Sequence, residues 1–415
     1  MKHSGSDTAR DVKDAVKNAI DIVEIVRGYI ELRPSGHGQF KGLCPFHQEK
    51  TPSFSVGTDR QSYYCFGCEK HGDVFNFLQE MDGIGFREAL QILADKAGIQ
   101  LPVYKSGSSN DDMRKQLIGM GKFALELYRS ELNRANGENP GGEYLATRRL
   151  SPETVESFGL GYVPEAWTTF VDAARKKGFN EKELLASGLA KQRDRGGVYD
   201  HFVNRLMFPI RDASGNVAAF GGRALGDSPA KYINSPETDL YKKSRVLYGL
   251  YEARDALREA KSAFLVEGYF DLLRLVDAGF KNVVATCGTA LTDGQATLLK
   301  RYVDEVTVLY DGDTAGIRAA LRSIGILTSA GLAVRALVLP DGQDPDDYIL
   351  DLGADTFREF AANAPGFVEF YVQTKSDQLN TIEGRTAIAK ELFDIVRGMD
   401  DPIRQDEYVK LIAQE

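Results

Sequence analysis

Cysteine is scarce in this chain, with four in 415 residues. That is too few for a disulfide framework, and Cys44, Cys65 and Cys68 fall within 25 positions, so their clustering points to a metal ion rather than to bridges. Long apolar runs are missing as well. No uncharged stretch approaches the about 18 residues of a membrane helix, and the polar start from Met1 to Ser6 has no apolar signal core behind it. A membrane span is thereby excluded and the cytoplasm favoured. Positive charge is not in excess either: the formal net charge is −9, which by itself argues weakly against a nucleic-acid partner. Its distribution changes that argument. From Lys261 onward 15 basic residues stand against 25 acidic ones, whereas the first 260 positions carry 36 against 35. A polyanion would therefore meet the front of the chain and a divalent cation the back.

What is present is ordinary globular matter, 43% hydrophobic and 27% charged, long enough for about two to four domains. Apolar spacing predicts a helix over Asp11 to Tyr29, stopped by Pro34, Ser35 and Gly36. Short strand-like runs follow around Gln39 to Leu43, Ser53 to Val56 and Ser62 to Phe66, then helices over Asp73 to Met81 and Phe86 to Ala97. The small, polar stretch from Lys105 to Asp112 reads as a flexible linker. Beyond it helical patterns alternate with strands such as Leu206 to Arg211 and Val217 to Phe220, and from Ala263 the order becomes strand, helix, strand, helix. Such alternation implies a parallel sheet covered by helices, with ligands beyond the carboxyl ends of its strands. The expected fold is thus α+β and multidomain: a zinc ribbon (1–104), a linker (105–112), a mixed α/β subdomain (113–260), a parallel-sheet α/β subdomain (261–350) and a helical segment (351–415).

Two ligand pairs with two-residue spacing, Cys44 with His47 and Cys65 with Cys68, are separated by seventeen residues. Tight turns of this kind aim four donors at one ion, and four protein ligands close a tetrahedral, structural Zn²⁺ site. His71 competes with His47 for the fourth position, with the poorer turn geometry. Tyr63, Tyr64 and Phe66 interleave with the ligands: they would stack on unpaired bases or form the ribbon's own small core. Lys41, Lys50 and Arg60 add a modest cationic edge. Cys287 lies on an apolar strand and reads as buried core.

Carboxylates gather at the ends of predicted strands. Glu267 and Asp271 follow the strand ending at Val266, Asp311 and Asp313 follow the one ending at Tyr310, and Asp344, Asp346 and Asp347 follow a third. If the first two strands are neighbours, hard oxygen donors converge as Mg²⁺ or Mn²⁺ requires. Two such ions would perform phosphoryl-transfer chemistry. Helix capping is the plainer reading for Asp271 or Asp313 taken singly. Gly268 and Gly312 are expected to let the backbone turn beside the metal, and Thr292 with Gln295 to form a capping box.

Read in order, CPFH, CFGC, EGYFD, GTALT, DGDTAG and DPDD resemble the bacterial replicative primases of the DnaG type, with their TOPRIM catalytic fold, over nearly the whole chain. The resemblance implies a DNA-directed RNA polymerase that makes short RNA primers from ribonucleoside triphosphates on single-stranded DNA. It implies Glu267, Asp311 and Asp313 as metal-binding catalytic acids, with Asp271, Asp344 and Asp346 as supporting ligands. It also implies a basic ridge for template and nucleotide: Asn204, Arg205, Arg223, Lys231, Tyr232, Asn234, Lys242 and Lys243, with Arg148 as a further candidate. From Lys191 to Ala260 there are 12 basic and 9 acidic residues, in keeping with that ridge. The family continues into a domain that docks on the replicative helicase; because the chain ends at Glu415, that domain is expected to be missing. A TOPRIM nuclease or topoisomerase, or an inactive zinc-dependent single-strand binder, are the alternatives. Against the former, no part of the chain suits a DNA-gate domain; against the latter, the acids are intact.

Overall fold

The computed structural model describes residues 5–47, 49, 51–82, 85–99, 109–134, 139–194, 196–288, 290–310 and 314–415. The chain divides into two compact units, Met1–Gly107 and Ser108–Glu415.

The first unit opens with two helices where the apolar spacing predicted one. α1 (Gly5–Ala19) stops and α2 (Ile22–Arg27) restarts because Asp21 takes an extended conformation and its carboxylate accepts the Val23 N–H at 2.8 Å, a stronger local signal than the continuing apolar stripe. Five short strands follow, β1 (Arg33–Pro34), β2 (Gln39–Gly42), β3 (Phe54–Gly57), β4 (Ser62–Cys65) and β5 (His71–Asp73), in one antiparallel meander. Helices α3 (Val74–Asp82) and α4 (Phe86–Ala97) complete the unit. Alternation along β4 divides the aromatics between two faces. Tyr63 is buried and packs on Phe54, Phe46 and Phe77, while Tyr64 is 40% and Phe66 69% exposed.

In the second unit α5 (Ser109–Leu132) begins inside the expected linker, so Ser109 to Asp112 are helical; Lys105 to Ser108 lie outside the described residues. After α6 (Pro140–Arg148) and α7 (Pro152–Phe158), an antiparallel sheet forms in the order β11-β10-β9-β6, from β6 (Gly161–Val163), β9 (Arg205–Arg211), β10 (Val217–Ala224) and β11 (Tyr232–Asn234). Helices α8 (Thr169–Lys176) and α9 (Glu181–Ala186) and the hairpin of β7 (Ala190–Gln192) with β8 (Val198–Asp200) lie between β6 and β9 in the chain.

Helix α10 (Leu250–Ala260) leads into a four-stranded parallel sheet, order β13-β12-β14-β15. Its strands β12 (Ser262–Val266), β13 (Val283–Ala285), β14 (Glu305–Tyr310) and β15 (Ala333–Val338) alternate with α11 (Tyr269–Asp277), α12 (Asp293–Lys300) and α13 (Thr314–Ser329), and α14 (Pro345–Leu352) follows β15. β12 and β14 are direct neighbours, with Leu265 opposite Val308. Their pairing sets Glu267, just past the end of β12, level with the carboxyl end of β14 at Tyr310. The last helices, α15 (Ala354–Ala362), α16 (Phe367–Thr374), α17 (Ile382–Arg397) and α18 (Pro402–Gln414), are part of the core rather than an appendage: Phe367, Leu392, Val396 and Ile412 share one apolar cluster with Val306 and Val334 of the sheet.

Candidate zinc centre and active-site cleft

Cys44, His47, Cys65 and Cys68 place their ligand atoms within 4.8 Å of one another. A tetrahedral zinc with Zn–S near 2.3 Å and Zn–N near 2.0 Å sets such atoms about 3.5–3.8 Å apart. The sulfurs of Cys44 and Cys68 are 3.8 Å apart, and Cys65 Sγ is 3.6 Å from His47 Nδ1, so the residues fit the ion. His71 does not take part: it is exposed on β5, stacked on Tyr64, with Nδ1 3.0 Å from the Glu69 carbonyl. The turns that hold the sulfurs do so through backbone N–H groups, from Phe46 to Cys44 and from Gly67 and Cys68 to Cys65. Gly67 is needed because a Cβ there would stand 2.5 Å from His47 Nε2.

Burial pushes the Cys44 thiol up to about 12, while at Cys65 hydrogen bonds from Ser53 and the Cys68 and Gly67 amides outweigh burial and lower it to about 6. A cation that favours thiolates relieves the first and suits the second. Glu49 escaped the sequence reading. Its carboxylate accepts the Cys44 and Ser53 N–H groups at 2.7 and 2.9 Å and stands 3.3 Å from His47 Nε2. It thereby sets the ring with Nδ1 toward the sulfurs, the arrangement by which a carboxylate orients a metal-ligating histidine. Its signal was local, two residues past His47 and four before Ser53. Lys50, expected on the cationic edge, is outside the described residues.

In the second unit a cleft of about 920 Å³ opens between the antiparallel sheet and the carboxyl ends of the parallel strands. Of the expected acids, Glu267, Asp271 and Asp344 line it; Asp311 and Asp313, with Gly312, lie outside the described residues. Asp271 also accepts the Gly268 N–H at 2.9 Å, and Asp344 caps α14 by accepting the Asp347 N–H at 2.8 Å, so each combines a helix-start role with a place in the cleft. Gly268 has an extended backbone that any residue adopts, contrary to the expected sharp turn; what it provides is room, since a Cβ would meet Asp271 Oδ2 at 2.6 Å. Asp346, expected beside the metal, is 1% exposed, with Arg274 Nε on one oxygen at 2.7 Å and Arg148 Nη1 on the other at 2.6 Å.

The expected ridge divides in two. Arg148, Lys231, Tyr232, Asn234 and Lys243 line the cleft. Asn234 ties its walls together, donating to the Cys287 carbonyl and accepting from Tyr269 Oη, each at 2.8 Å. Arg223 stands beside the lining residues, its guanidinium 4.6 Å from the Tyr144 ring and 3.2 Å from Tyr232 Oη. Arg205, Asn204 and Lys242 do not line it. The Arg205 guanidinium is buried and donates to the Gly222 and Ala230 carbonyls and to Ser228 Oγ, which straps down the segment before Lys231. Asn204 makes a left-handed turn into β9 at φ 49°, and Lys242 pairs with Glu237 at 3.8 Å.

Cys287 is buried as expected, but in the turn after β13 rather than on a strand: its N–H donates to the Glu267 carbonyl at 2.9 Å, and it faces the cleft. The Thr292 capping box forms, and Gln295 uses its remaining amide to hold the Lys243 and Val246 carbonyls. His201 and Arg322 also line the cleft and were missed, for no sequence motif surrounds either. Burial, with Lys191, Arg205 and Lys243 nearby, lowers His201 to about 4, so it faces the cleft as a neutral ring.

Family models match the chain in four consecutive parts: the CHC2 zinc finger over residues 8–109, the DNA primase catalytic core N-terminal domain over 127–254, a Toprim-like domain over 264–349, and the DnaB-helicase binding domain of primase over 368–415. Zinc ribbon, basic α/β module and Toprim sheet in this order define a template-using polymerase built on a Toprim core. A DNA primase of Deinococcus radiodurans is 41% identical over 92% of this chain and 66% of its own length, and one of Clostridium acetobutylicum 37% identical over 98% and 68%. The chain spans about two thirds of the length of these relatives. The Aquifex aeolicus primase structure, comprising zinc-binding and RNA polymerase domains, superposes with a TM-score of 0.67 at 32% identity, covering 97% of this chain and 96% of that one. A DnaG primase catalytic domain bound to single-stranded DNA matches with a TM-score of 0.66 at 31% identity, over 74% of this chain and 100% of that one. The chain belongs to the DnaG-type family of DNA primases, the DNA-directed RNA polymerases that make primers for replication.

The expected fold class and primase activity therefore stand, and the CHC2 finger supports a structural zinc. The expectation that the helicase-docking part is missing is overturned, since its family model matches residues 368–415. The reason it escaped notice is physical: the helices of this segment present the same apolar face to the sheet as any core helix, so periodicity could not mark them as a separate module.

Proposed function

We propose that the cleft is the primer-synthesis site, with Glu267, Asp311 and Asp313 as catalytic acids supported by Asp271 and Asp344, and with Mg²⁺ or Mn²⁺ as the cation. The observation that carries this reading is the charge gathered around one cavity: Glu267, Asp271 and Asp344 line it together with Arg148, Lys231 and Lys243. Divalent cations held by the acids would activate the attacking primer hydroxyl and stabilise the departing pyrophosphate. Lys231, Lys243 and Arg148 balance triphosphate and template charge, positioning without reading sequence. Tyr232, 37% exposed and stacked on Tyr269, offers a ring face to a base. In the ribbon, Tyr64 and Phe66 form an exposed aromatic pair with centroids 4.9 Å apart, suited to unpaired template bases.

The single-strand complex of a structural relative supports the template assignment, and the matched helicase-binding segment supports docking of a DnaB-type helicase through residues 368–415. Both agree with work at the replication fork, in the cytoplasm. Among the described residues no helix is long and apolar enough to cross a membrane. The test is Glu267→Gln. Zinc content and single-strand binding are expected to stay as in the parent, while primer synthesis from labelled ribonucleotides falls about 10²-fold or more, the scale of losing one group that organises developing charge. Primer output equal to the parent's would sink the assignment.

A further inference from the structure

Arg274, on α11, was in no motif and is not among the residues lining the cleft, yet it is 4% exposed and meets two carboxylates and two backbone carbonyls. Its Nε donates to Asp346 at 2.7 Å, its Nη1 lies 3.5 Å from Asp277 and 3.3 Å from the Arg149 carbonyl, and its Nη2 donates to the Arg148 carbonyl. The other oxygen of Asp346 accepts from Arg148 Nη1 at 2.6 Å. Asp277 in turn accepts the Ser151 N–H at 3.1 Å and Thr154 Oγ1 at 2.8 Å. Two guanidinium groups and two carboxylates thus form a closed cluster that nails the turn between α6 and α7 to the parallel-sheet subdomain.

The turn needs that hold. Arg149 ends α6 in the left-handed region at φ 50°, a conformation a non-glycine residue keeps only where its surroundings enforce it. Arg148 itself is held in three ways while lining the cleft: Nε donates to Tyr144 Oη at 2.8 Å, the guanidinium lies 4.9 Å from the Phe270 ring, and Nη1 is on Asp346. Its partner Asp346 is gripped on its other oxygen by Arg274, which neutralises and orients it. A planar fork that donates in several fixed directions at once is what lets one residue grip both the carboxylate and the Arg148 carbonyl.

We propose that Arg274 is a positioning residue for primer synthesis: through Asp346 and the Arg148 carbonyl it sets where the Arg148 guanidinium stands in the cleft. This rests on the reading that Arg148 contacts nucleotide or template phosphate. Displacement of a positioning group by about 1 Å can cost on the order of 10²-fold in rate, so a residue outside the cleft can act on the reaction by this route.

The experiment compares Arg274→Met, Arg148→Ala and the double variant in the full chain, below their melting temperatures. It reads KM for ribonucleotides, kcat, and the salt dependence of single-stranded DNA binding. Arg148→Ala is expected to move KM or to flatten the salt slope by about 0.7, one phosphate contact on a single strand. Arg274→Met is expected to move the same quantity, and the double variant to be no worse than the more affected single one. An Arg274→Met enzyme that melts earlier but keeps the parent's KM, kcat and salt slope would overturn the proposal, as would effects that multiply in the double variant. If Arg148→Ala alone changes nothing, it is the phosphate reading of Arg148 that fails. Should Arg274→Met not fold, Arg274→Lys, which keeps the charge but loses the fork, is expected to show the same shift, and parental kinetics in it would be equally fatal.

Discussion

The zinc centre and the cleft both gather charged side chains at one point, but they draw on the chain differently. The zinc ligands come from two turns separated by seventeen residues, and the group that orients the histidine, Glu49, sits two positions from it. In the cleft, Arg148 and its partner Asp346 are 198 positions apart, and Asn234 joins walls from two different sheets. A local cluster depends on turn geometry and on the ion; an assembled one depends on the whole fold beneath it. Damage to the first should therefore remain in its own unit, whereas damage to the second should appear in chemistry before it appears in folding.

Removing a zinc ligand is the strongest way to break that contrast. Cys65→Ser is expected to lose stoichiometric zinc and, with it, the order of residues 1–107, because a structural zinc contributes about 10 kcal/mol or more to such a fold. Limited proteolysis should then digest the first unit and spare residues 108–415. Equal loss of both units would refute their independence. Glu49→Gln sharpens the same point more gently: zinc affinity measured against a competing chelator should fall about 10–100-fold with the ribbon still folded, and unchanged affinity would remove Glu49 from the site.

The smallest effect concerns pH at His201, which lines the cleft, and at Asp200 beside it in the chain. Burial raises Asp200 to about 6 even though it accepts the Phe170 and Val171 N–H groups, and burial lowers its neighbour His201 to about 4. Between about pH 4 and 6 the folded protein holds a proton on Asp200 that the unfolded chain has released, so this residue's contribution falls as pH rises. Over the same window the unfolded chain protonates its His201 and the folded protein does not, so that contribution rises. The two oppose each other in the parent. His201→Gln is expected to leave a melting temperature that drops from pH 4 to 6 relative to the parent, and Asp200→Asn one that climbs. Parallel profiles in all three would refute the two opposing contributions.

How much of the site was legible depended on how local its signals were. Two-residue spacing singled out the four side chains whose ligand atoms gather within 4.8 Å of one another, with His71 apart from them, because a tight turn is a property of a few consecutive residues. Strand-end acids located Glu267, Asp271 and Asp344 at the cleft. For basic residues the reading was coarser. Arg205 and Lys231 looked alike in the sequence, yet one is a buried strap and the other faces the cavity; no pattern in consecutive residues encodes which way a guanidinium turns. Asp346 was misplaced for the same reason, since the arginine that captures it lies 72 positions away.

Sequence alone determined the order of the modules, the spacing that gathers Cys44, His47, Cys65 and Cys68, the strand-end position of Glu267 and the family, for these rest on spacing, composition and strand ends that short-range sterics enforce. Tertiary structure decided that β12 and β14 are neighbours, that Gln295 and Arg205 hold the loops carrying Lys243 and Lys231, and that Arg274 and Asp346 join the α6–α7 turn to the parallel sheet. Those pairings are between groups far apart in the chain, and they form only where the burial of many apolar side chains has already brought the groups within hydrogen-bonding reach.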